Sequence, residues 1–364
     1  MSSLDTAWFS QLEDSIPQYL NSLSTPEQLG RYLPCKNGVT DVGREMALGW
    51  SCFALKTIFT LGQWHGLSLD NRSAWVEFIQ KYQRRDGAFE DPPEIAWLNR
   101  PPDVKSKLMG MVGMAPWRPD PTSILLAETK QAIATLAQVG IGTSRTFRDF
   151  PTTPKAVRKW FSLQNWSKPW GAGGQSAGLV TFIETQSPMF LPVSSVISLM
   201  DACREFFREI LDFDTGAYFT GAKPAHGEMI NGAMKVLMAL DWLDQPVHHP
   251  DRLIATTISQ LPSPQGCHLV DAVYVIHQCL AGRPADRAVK EFCIKILEMI
   301  KLHANTDGGF SFNVKKAQTN YYGVEVSRGL EESDIQGTCL LTWAIAMIWK
   351  ILDPATARWK LIKP

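Results

Sequence analysis

The chain has 364 residues, with 36 basic and 36 acidic side chains, so its formal net charge at pH 7 is zero. No run of either charge stands out, which argues against a nucleic-acid-binding surface and against attachment to an anionic membrane. The length exceeds the usual range of one domain. A closed repeat architecture escapes that limit, because each unit buries its face against the next unit.

The first residues have neither a basic start nor an apolar stretch suited to export. The longest apolar stretches, 46–62 and 335–349, fall short of a clean membrane span and suit buried helices. The seven cysteines are odd in number and lack a CxxC spacing, as is typical of free thiols in a reducing compartment. We therefore expect a cytoplasmic protein without stable membrane insertion.

Six segments have the pattern of amphipathic helices. In the clearest of them, residues 286–301, Val289 and Phe292 fall on one stripe while Lys290 and Glu298 lie off it. Such a helix has one buried and one solvated side. The other five segments are 12–23, 74–83, 155–163, 195–211 and 252–261.

A second kind of predicted helix is apolar nearly all round and must be covered on most sides. These helices are predicted near 44–61, 121–139, 173–184, 228–241, 268–281 and 334–350. The two kinds alternate along the chain, as an outer ring wrapped around an inner ring requires. We therefore predict an all-α fold, an (α/α)6 toroid, as one domain over residues 1–364. An open solenoid uses similar pairs, but its repeats are usually shorter and more uniform.

Residues 90–120 hold several prolines and show no helical periodicity. We predict an irregular excursion there. Long irregular segments of compact domains are commonly functional, so we expect this one to act as a lid over the cavity mouth.

Three turns from an outer to an inner helix share an Asp, a Gly and an aromatic residue. They read Asp86-Gly-Ala-Phe, Asp214-Thr-Gly-Ala-Tyr and Asp307-Gly-Gly-Phe, and Trp170-Gly-Ala-Gly-Gly is a variant. Gly provides the positive φ of a tight turn, and Asp accepts local amide bonds. With these turns the chain resembles the α/α-toroid superfamily that includes protein prenyltransferase β-subunits and squalene-hopene-type terpene cyclases.

The resemblance implies a central cavity and, as the first hypothesis, a terpene cyclase-like or prenyltransferase-like enzyme acting on an apolar isoprenoid. The 13 tryptophans fit an aromatic cavity, although they equally fit core packing. Prenyltransferase β-subunits hold zinc with an Asp-x-Cys pair and a distant His, and no Asp-x-Cys begins a predicted inner helix here. The second hypothesis is an intracellular carbohydrate-active toroid, namely a lyase, hydrolase or epimerase. The third is a non-catalytic toroid that binds a ligand or a protein.

Polar residues at the starts of the predicted inner helices form the candidate site, because these helix ends direct unpaired amides and dipoles toward one end of the cavity. The candidate catalytic residues are His226, Glu228, Asp271 and Asp334. The candidate substrate-binding residues are Arg44, Glu45, Trp170, Gln175, Asn231, His268 and Gln336. Helix capping is the alternative role of such residues.

Three polar side chains lie at the start of one apolar helix, namely His226, Glu228 and Asn231. Capping needs only one such residue, so the other two could bind substrate or transfer protons. His268 and Asp271 lie one turn apart, and such a pair can contribute to a divalent-metal site. The interpretation that we favour is a metal-free cluster without a cofactor. We expect these side chains to converge on one pocket that takes a small-molecule substrate.

The segment Asp212-Phe-Asp-Thr215 is similar to the Asp-x-Asp-Asp acid of squalene-hopene-type cyclases. That chemistry needs a protonated carboxylic acid in a dry pocket. The fourth position here is Thr, and the segment lies where the other units place their Asp-Gly turn. The sequence thus leaves two roles open, an acid and a turn.

Overall fold

The computed structural model describes residues 6–25, 28–100 and 120–364. The helices in that part of the chain are α1 Thr6–Leu23, α2 Asp41–Glu45, α3 Leu48–Thr60, α4 Leu69–Gln80, α5 Pro92–Leu98, α6 Pro121–Gln138, α7 Pro154–Ser162, α8 Pro169–Thr185, α9 Val193–Glu209, α10 His226–Trp242, α11 Pro250–Ile258, α12 Gly266–Leu280, α13 Arg287–Lys301 and α14 Ile335–Leu352. Two 3-10 turns span Trp64–Gly66 and Ser187–Met189. One antiparallel hairpin pairs β1 Asn320–Tyr321 with β2 Val324–Glu325.

Helices α3, α6, α8, α10, α12 and α14 form an inner ring. Each packs against the next in chain order, and α14 packs against α3. The ring is therefore closed, which rules out an open solenoid and confirms the predicted (α/α)6 toroid. Outer helices precede the inner ones along the chain, and α4, α9, α11 and α13 pack on the outside of the ring.

The burial of the helices explains their two compositions. On the outer helix α13, Val289, Phe292 and Ile296 are buried, and Asp286 caps the helix by accepting a 2.8 Å bond from the Val289 amide. Full burial of one such apolar side chain contributes roughly 1.5–3 kcal/mol. Helix α14 is the one helix of the described residues that is long and apolar enough to cross a membrane. It is 78% buried inside the fold, as expected of a core helix.

The three predicted Asp-Gly-aromatic turns are confirmed. Their glycines have φ between 74° and 93°, the left-handed region that favours Gly, and their aromatic rings are fully buried (Gly87, Gly216 and Gly308; Phe89, Tyr218 and Phe310). Two of the turns are tied to inner helices. The amides of Phe89 and Phe310 donate to the hydroxyls of Thr129 and Thr338.

The predicted variant turn at Trp170 to Gly174 is wrong, because these residues are helical and begin α8. Proline at the first helical position is pre-organised for a helix, and Pro169 has that place. The carboxylate of Glu228 then accepts a 2.9 Å bond from the Trp170 amide, which would otherwise be unpaired.

Arg44 and Glu45 do not begin the first inner helix, contrary to prediction. They end the short helix α2 and are exposed, and the backbone is extended at Met46. Helix α3 begins two residues later, where Oδ2 of Asp91 accepts bonds of 2.7 and 2.9 Å from the Ala47 and Leu48 amides. This carboxylate comes from a distant segment, so the local pattern does not reveal the break.

The predicted lid at 90–120 lies partly outside the described residues, from 101 to 119. Its first part contains α5, which follows Asp91 and has Pro at its start. This is a regular helix where we expected irregular chain, and Glu94 and Leu98 on it are buried. The role as a lid stays a prediction.

The segment 359–364, which we call the C-terminal strap, crosses one end of the ring. The Lys360 amide donates to the Thr60 carbonyl, and the Lys363 amide donates to Oε1 of Gln138. Nε1 of Trp242 donates a 2.7 Å bond to the Pro364 carbonyl. Thr60, Gln138 and Trp242 are the last residues of α3, α6 and α10. The strap therefore covers the carboxyl ends of these three inner helices.

Candidate functional site

A tight hairpin brings two tyrosines to the amino end of the ring. Tyr322 and Gly323 form its two-residue turn with φ of 44° and 85°, a conformation that is uncommon for a bulky residue. Tyr321 is buried beside Gly49 of α3, where an added Cβ would lie 2.8 Å from the tyrosine hydroxyl oxygen. Gly49 therefore provides the space that Tyr321 occupies.

Tyr321 contacts a carboxylate of the inner ring. Its hydroxyl donates a short hydrogen bond to Oε1 of Glu128 on α6, and Nε2 of Gln131 lies 3.5 Å from the same hydroxyl. Glu128 is buried, and its Oε2 has no hydrogen-bond partner among the described residues. Burial raises the pKa of Glu128 to about 8, against the lowering effect of the Tyr321 hydrogen bond.

Glu94 on α5 is a second buried carboxyl near Glu128. It is 0% exposed, and neither of its carboxyl oxygens has a hydrogen-bond partner in the described part of the chain. Burial, and then the charges of Glu128 and Asp91, raise the pKa of Glu94 to about 10. Both shifts favour the protonated carboxyl at neutral pH, and the shift of Glu94 is the larger one. Two neighbouring carboxyls with separated titrations can divide the roles of acid and base.

The interior of the inner ring, which we call the lumen, also holds lysines. Lys56 on α3 is buried, and Lys130 on α6 and Lys235 on α10 are partly buried. Burial, and then the charges of Lys56 and Lys235, lower the pKa of Lys130 well below its usual value. Because α6 and α10 are not neighbours in the ring, side chains on them approach each other through the lumen.

Tyr322 links the two sides of the lumen. Burial is the largest cause that raises the pKa of the Tyr322 hydroxyl. The charges of Glu128, Glu94 and Cys267, in that order, raise the same pKa further. Cys267 lies in the first turn of α12, which is far from α6 in the order of the ring. The tyrosine side chain therefore lies between opposite walls, at the amino end of the ring.

Four of the predicted site residues come together. The Trp170 amide donates to Glu228, Nδ2 of Asn231 lies 2.8 Å from Nδ1 of His268, and the rings of Trp170 and His268 are 5.5 Å apart. These contacts join the first turns of α8, α10 and α12, so the three helices run in the same direction.

Asp271 follows His268 by one turn of α12. It is buried, and its Oδ2 has no hydrogen-bond partner among the described residues. Burial raises the pKa of Asp271 to about 6, against the lowering effect of Lys235. Asp271 therefore faces the lysine side of the lumen.

His226 and Asp334 form their hydrogen bonds elsewhere. Nε2 of His226 lies 3.0 Å from the Thr256 carbonyl, on α11 of the outer layer. The Asp334 carboxylate accepts bonds of 2.6, 2.6 and 3.0 Å from three backbone amides, those of Gly337, Phe312 and Gln318. These are contacts of helix capping and loop support. The catalytic roles of both residues stay predictions.

The remaining predicted residues are not joined to this cluster by any contact within the described residues. Arg44 lines an outer cleft of about 550 Å³ together with Arg31. Glu45 lines another cleft, of about 510 Å³. Gln175 and Gln336 are half-buried on α8 and α14, and Oε1 of Gln336 lacks a hydrogen-bond partner there.

The segment 212–215 has the contacts of a turn. Oδ1 of Asp212 accepts bonds from the amide and the hydroxyl of Thr215, at 2.9 and 2.6 Å. Phe213 and Asp214 are exposed. In residues 6–25, 28–100 and 120–364, no group of three or more His, Cys, Asp or Glu side chains is placed to hold a metal ion.

Sequence reasoning missed Glu94, Glu128, Lys56 and the two tyrosines. Glu128 and Lys56 are charged residues inside apolar helices, which is a usable signal. Glu94 follows Asp91-Pro-Pro, which is a helix-start signal inside the segment predicted to be irregular. Asn320-Tyr-Tyr-Gly323 has hairpin chemistry, but its strands are only two residues long.

No family model and no curated protein matches the sequence. Among solved structures, the chain is similar to the GH76A α-1,6-mannanase from Salegentibacter sp. HEL1_6, with 13% identity, a TM-score of 0.48, and coverage of 94% of this chain and 99% of that one. A GH76 α-mannanase of Bacteroides thetaiotaomicron gives 12% and 0.43, with coverage of 95% and 95%. A possible GH105 member from Klebsiella pneumoniae gives 12% and 0.46, with coverage of 96% and 94%. The class of this protein, an α/α toroid, follows from its own helix contacts.

Proposed function

We propose that this protein is a carbohydrate-active enzyme in which Glu94 and Glu128 act as an acid–base pair on a glycosidic bond. The observation that carries the proposal is the burial of both carboxyl groups with three of their four oxygens unpartnered among the described residues. Removing such groups from water is unfavourable, and strongly perturbed carboxyls cluster at working sites.

The two carboxyls have complementary roles in this proposal. Protonated Glu94 donates its proton to the glycosidic oxygen as the bond from that oxygen to the anomeric carbon breaks. Ionised Glu128 accepts a proton from the water that attacks the anomeric carbon. Tyr321 holds Oε1 of Glu128, which leaves Oε2 for the incoming water. Trp170, half-buried at the amino end of the ring, offers a flat face to a sugar.

A second candidate is proton-initiated cyclisation of an apolar isoprenoid, which was the first hypothesis drawn from the sequence. Protonated Glu94 favours it, as do the rings of Trp50 and Phe53, whose centroids lie 4.8 and 6.0 Å from that of Tyr321. The lysines of the lumen oppose it, because ammonium groups repel a carbocation and an apolar substrate would leave them unsolvated. We therefore place carbohydrate chemistry first.

The test is a substrate screen with matched variants. The wild-type chain is incubated with neutral and acidic oligosaccharides and, separately, with squalene and farnesyl diphosphate, and products are followed by reducing-end assay and mass spectrometry. We expect new reducing ends from an oligosaccharide only. Glu94→Gln and Glu128→Gln should each reduce turnover by about 100-fold or more.

Glu77→Gln is the matched control, because Glu77 is exposed on the outer helix α4. Its turnover should equal that of the wild type. Cyclised isoprenoid products would overturn the proposal in favour of the second candidate. Full turnover by Glu94→Gln would overturn the assignment of the acid.

A further inference from the structure

Three lysines lie on three inner helices and have no ion-pair partner among the residues that the structure describes. The three are Lys56 on α3, Lys130 on α6 and Lys235 on α10. The positive charges of Lys56 and Lys235 both act on Lys130 and lower its pKa. None of the three forms a hydrogen bond or an ion pair with another residue of the described chain. Three like charges are therefore held within reach of one another.

Helix α8 packs against the stems of two of these side chains. A Cβ added at Gly173 would lie 2.8 Å from Cβ of Lys235, so Gly173 leaves the space that the Lys235 stem occupies. A Cβ added at Gly178 would lie 3.9 Å from Cβ of Lys130, which is an ordinary contact and places the Lys130 stem beside the same helix. A core position that only had to be filled would suit an apolar residue better, because a buried ammonium loses its hydration.

The carboxyls nearest to these lysines do not neutralise them. The charges of Glu128 and Asp271 act on Lys56 and Lys235 respectively, but burial raises the pKa of both carboxyls. Burial lowers the pKa of Lys56 and Lys130 as well, so the protonated forms of these two amino groups have no ion-pair partner among the described residues to stabilise them. Lys56 is itself more than nine-tenths buried.

We propose that Lys56, Lys130 and Lys235 form a subsite for an oxyanion of the substrate, so that the enzyme acts on an acidic carbohydrate. This inference rests on the function proposed above and adds the substrate class. Lysine ammonium groups bind carboxylate, sulfate and phosphate as point charges, and the charge of the ligand replaces the missing counter-ion. The subsite adjoins the acid–base pair through Lys56, whose charge reaches Glu128.

The experiment compares disaccharides that differ in one substituent. Binding of a neutral disaccharide, and of its uronate, sulfate-ester and phosphate-ester counterparts, is measured by calorimetry on the full chain. We expect at least one acidic form to bind about tenfold more tightly than the neutral form, as one charge-assisted hydrogen bond provides. The form with the tightest binding identifies the anion.

Lysine variants connect this preference to the subsite. Lys130→Met and Lys235→Met should each remove most of the preference for the acidic over the neutral disaccharide. Lys235→Arg keeps the charge and should keep the preference, which separates a charge effect from misfolding. Lys295→Met, exposed on the outer helix α13, is the matched control and should behave as wild type.

The two proposals fail in different ways. Equal affinity for neutral and acidic disaccharides, or a preference that survives Lys130→Met, would overturn the subsite. If the neutral disaccharide is also cleaved in a Glu94-dependent manner, the proposed function stands without it. Lysine-dependent binding of an acidic disaccharide that is never cleaved would support the subsite and overturn the proposed function.

Discussion

The hydroxyl of Tyr321 donates its hydrogen bond to a carboxylate 193 positions away in the chain, that of Glu128. The contact joins a hairpin of the last unit to the second inner helix. It also holds one oxygen of Glu128, while Oε2 has no hydrogen-bond partner in the described part of the chain, and the proposed role as a base uses this oxygen.

The titrations of the two carboxyls predict a bell-shaped pH–rate profile. Turnover requires ionised Glu128 and protonated Glu94, so it should rise as pH increases through about 8 and fall as pH increases through about 10. The two apparent values belong to the pair. The measurement is kcat/KM against pH on the best substrate of the screen. A profile centred below pH 6 would contradict this assignment.

Tyr321→Phe should shift the lower limb of that profile to higher pH. A hydrogen bond donated to a carboxylate favours its charged form, so its loss raises the pKa of Glu128 further. We expect a shift of about one pH unit, since one pKa unit corresponds to about 1.4 kcal/mol. Tyr82→Phe, in the cleft that Glu45 lines, makes the same chemical change at a residue that forms no hydrogen bond with Glu128 in the described chain. An unchanged limb in Tyr321→Phe would show that Glu128 is not the base.

Glu94→Gln should make the protein more stable at alkaline pH. The pKa of Glu94 rises from 4.5 to about 10 on folding, so its contribution to stability is fully present below pH 4.5 and is lost as pH rises toward 10. Glutamine has no proton to lose. The difference in unfolding free energy between variant and wild type should grow with pH by at most about 1.4 kcal/mol per unit. Urea unfolding at pH 5, 7 and 9 measures it, with Glu77→Gln as control; parallel curves would refute the buried-acid interpretation.

Asp334→Asn separates capping from catalysis at that residue. The carboxylate accepts three backbone amides, and an Asn amide group would present a donor to some of them. We expect a loss of about 1–3 kcal/mol in unfolding free energy. Asp286→Asn at the cap of α13 should change stability much less, because Asn caps helices as well as Asp. An unchanged Tm with abolished turnover would instead favour a catalytic Asp334.

The ring was predictable because its cause is local. A helix such as α14, apolar nearly all round, must be covered on most sides, whereas α13 has one solvated face, and their alternation indicates two layers. The first turns that meet at Asn231 and His268 were predictable for the same reason, since the starts of parallel inner helices lie at one end of the ring.

The proposed acid–base pair was not predictable, because its properties depend on distant residues. Glu94 is buried only where α5 packs in the fold, and the titration of Glu128 depends on Tyr321 and Asp91. The break between α2 and α3 depends likewise on the carboxylate of Asp91. No periodicity in the sequence encodes such long-range contacts.

The C-terminal strap has a consequence for the order in which the protein is made. Residues 359–364 bond to the last residues of α3, α6 and α10, which leave the ribosome far earlier. One side of helix α3 is covered only when α14, the last inner helix, packs against it. During synthesis the early helices therefore remain partly uncovered, and the buried charges of the lumen stay in water until the last unit arrives. Closing the ring is thus also what removes Glu128 and Lys56 from water.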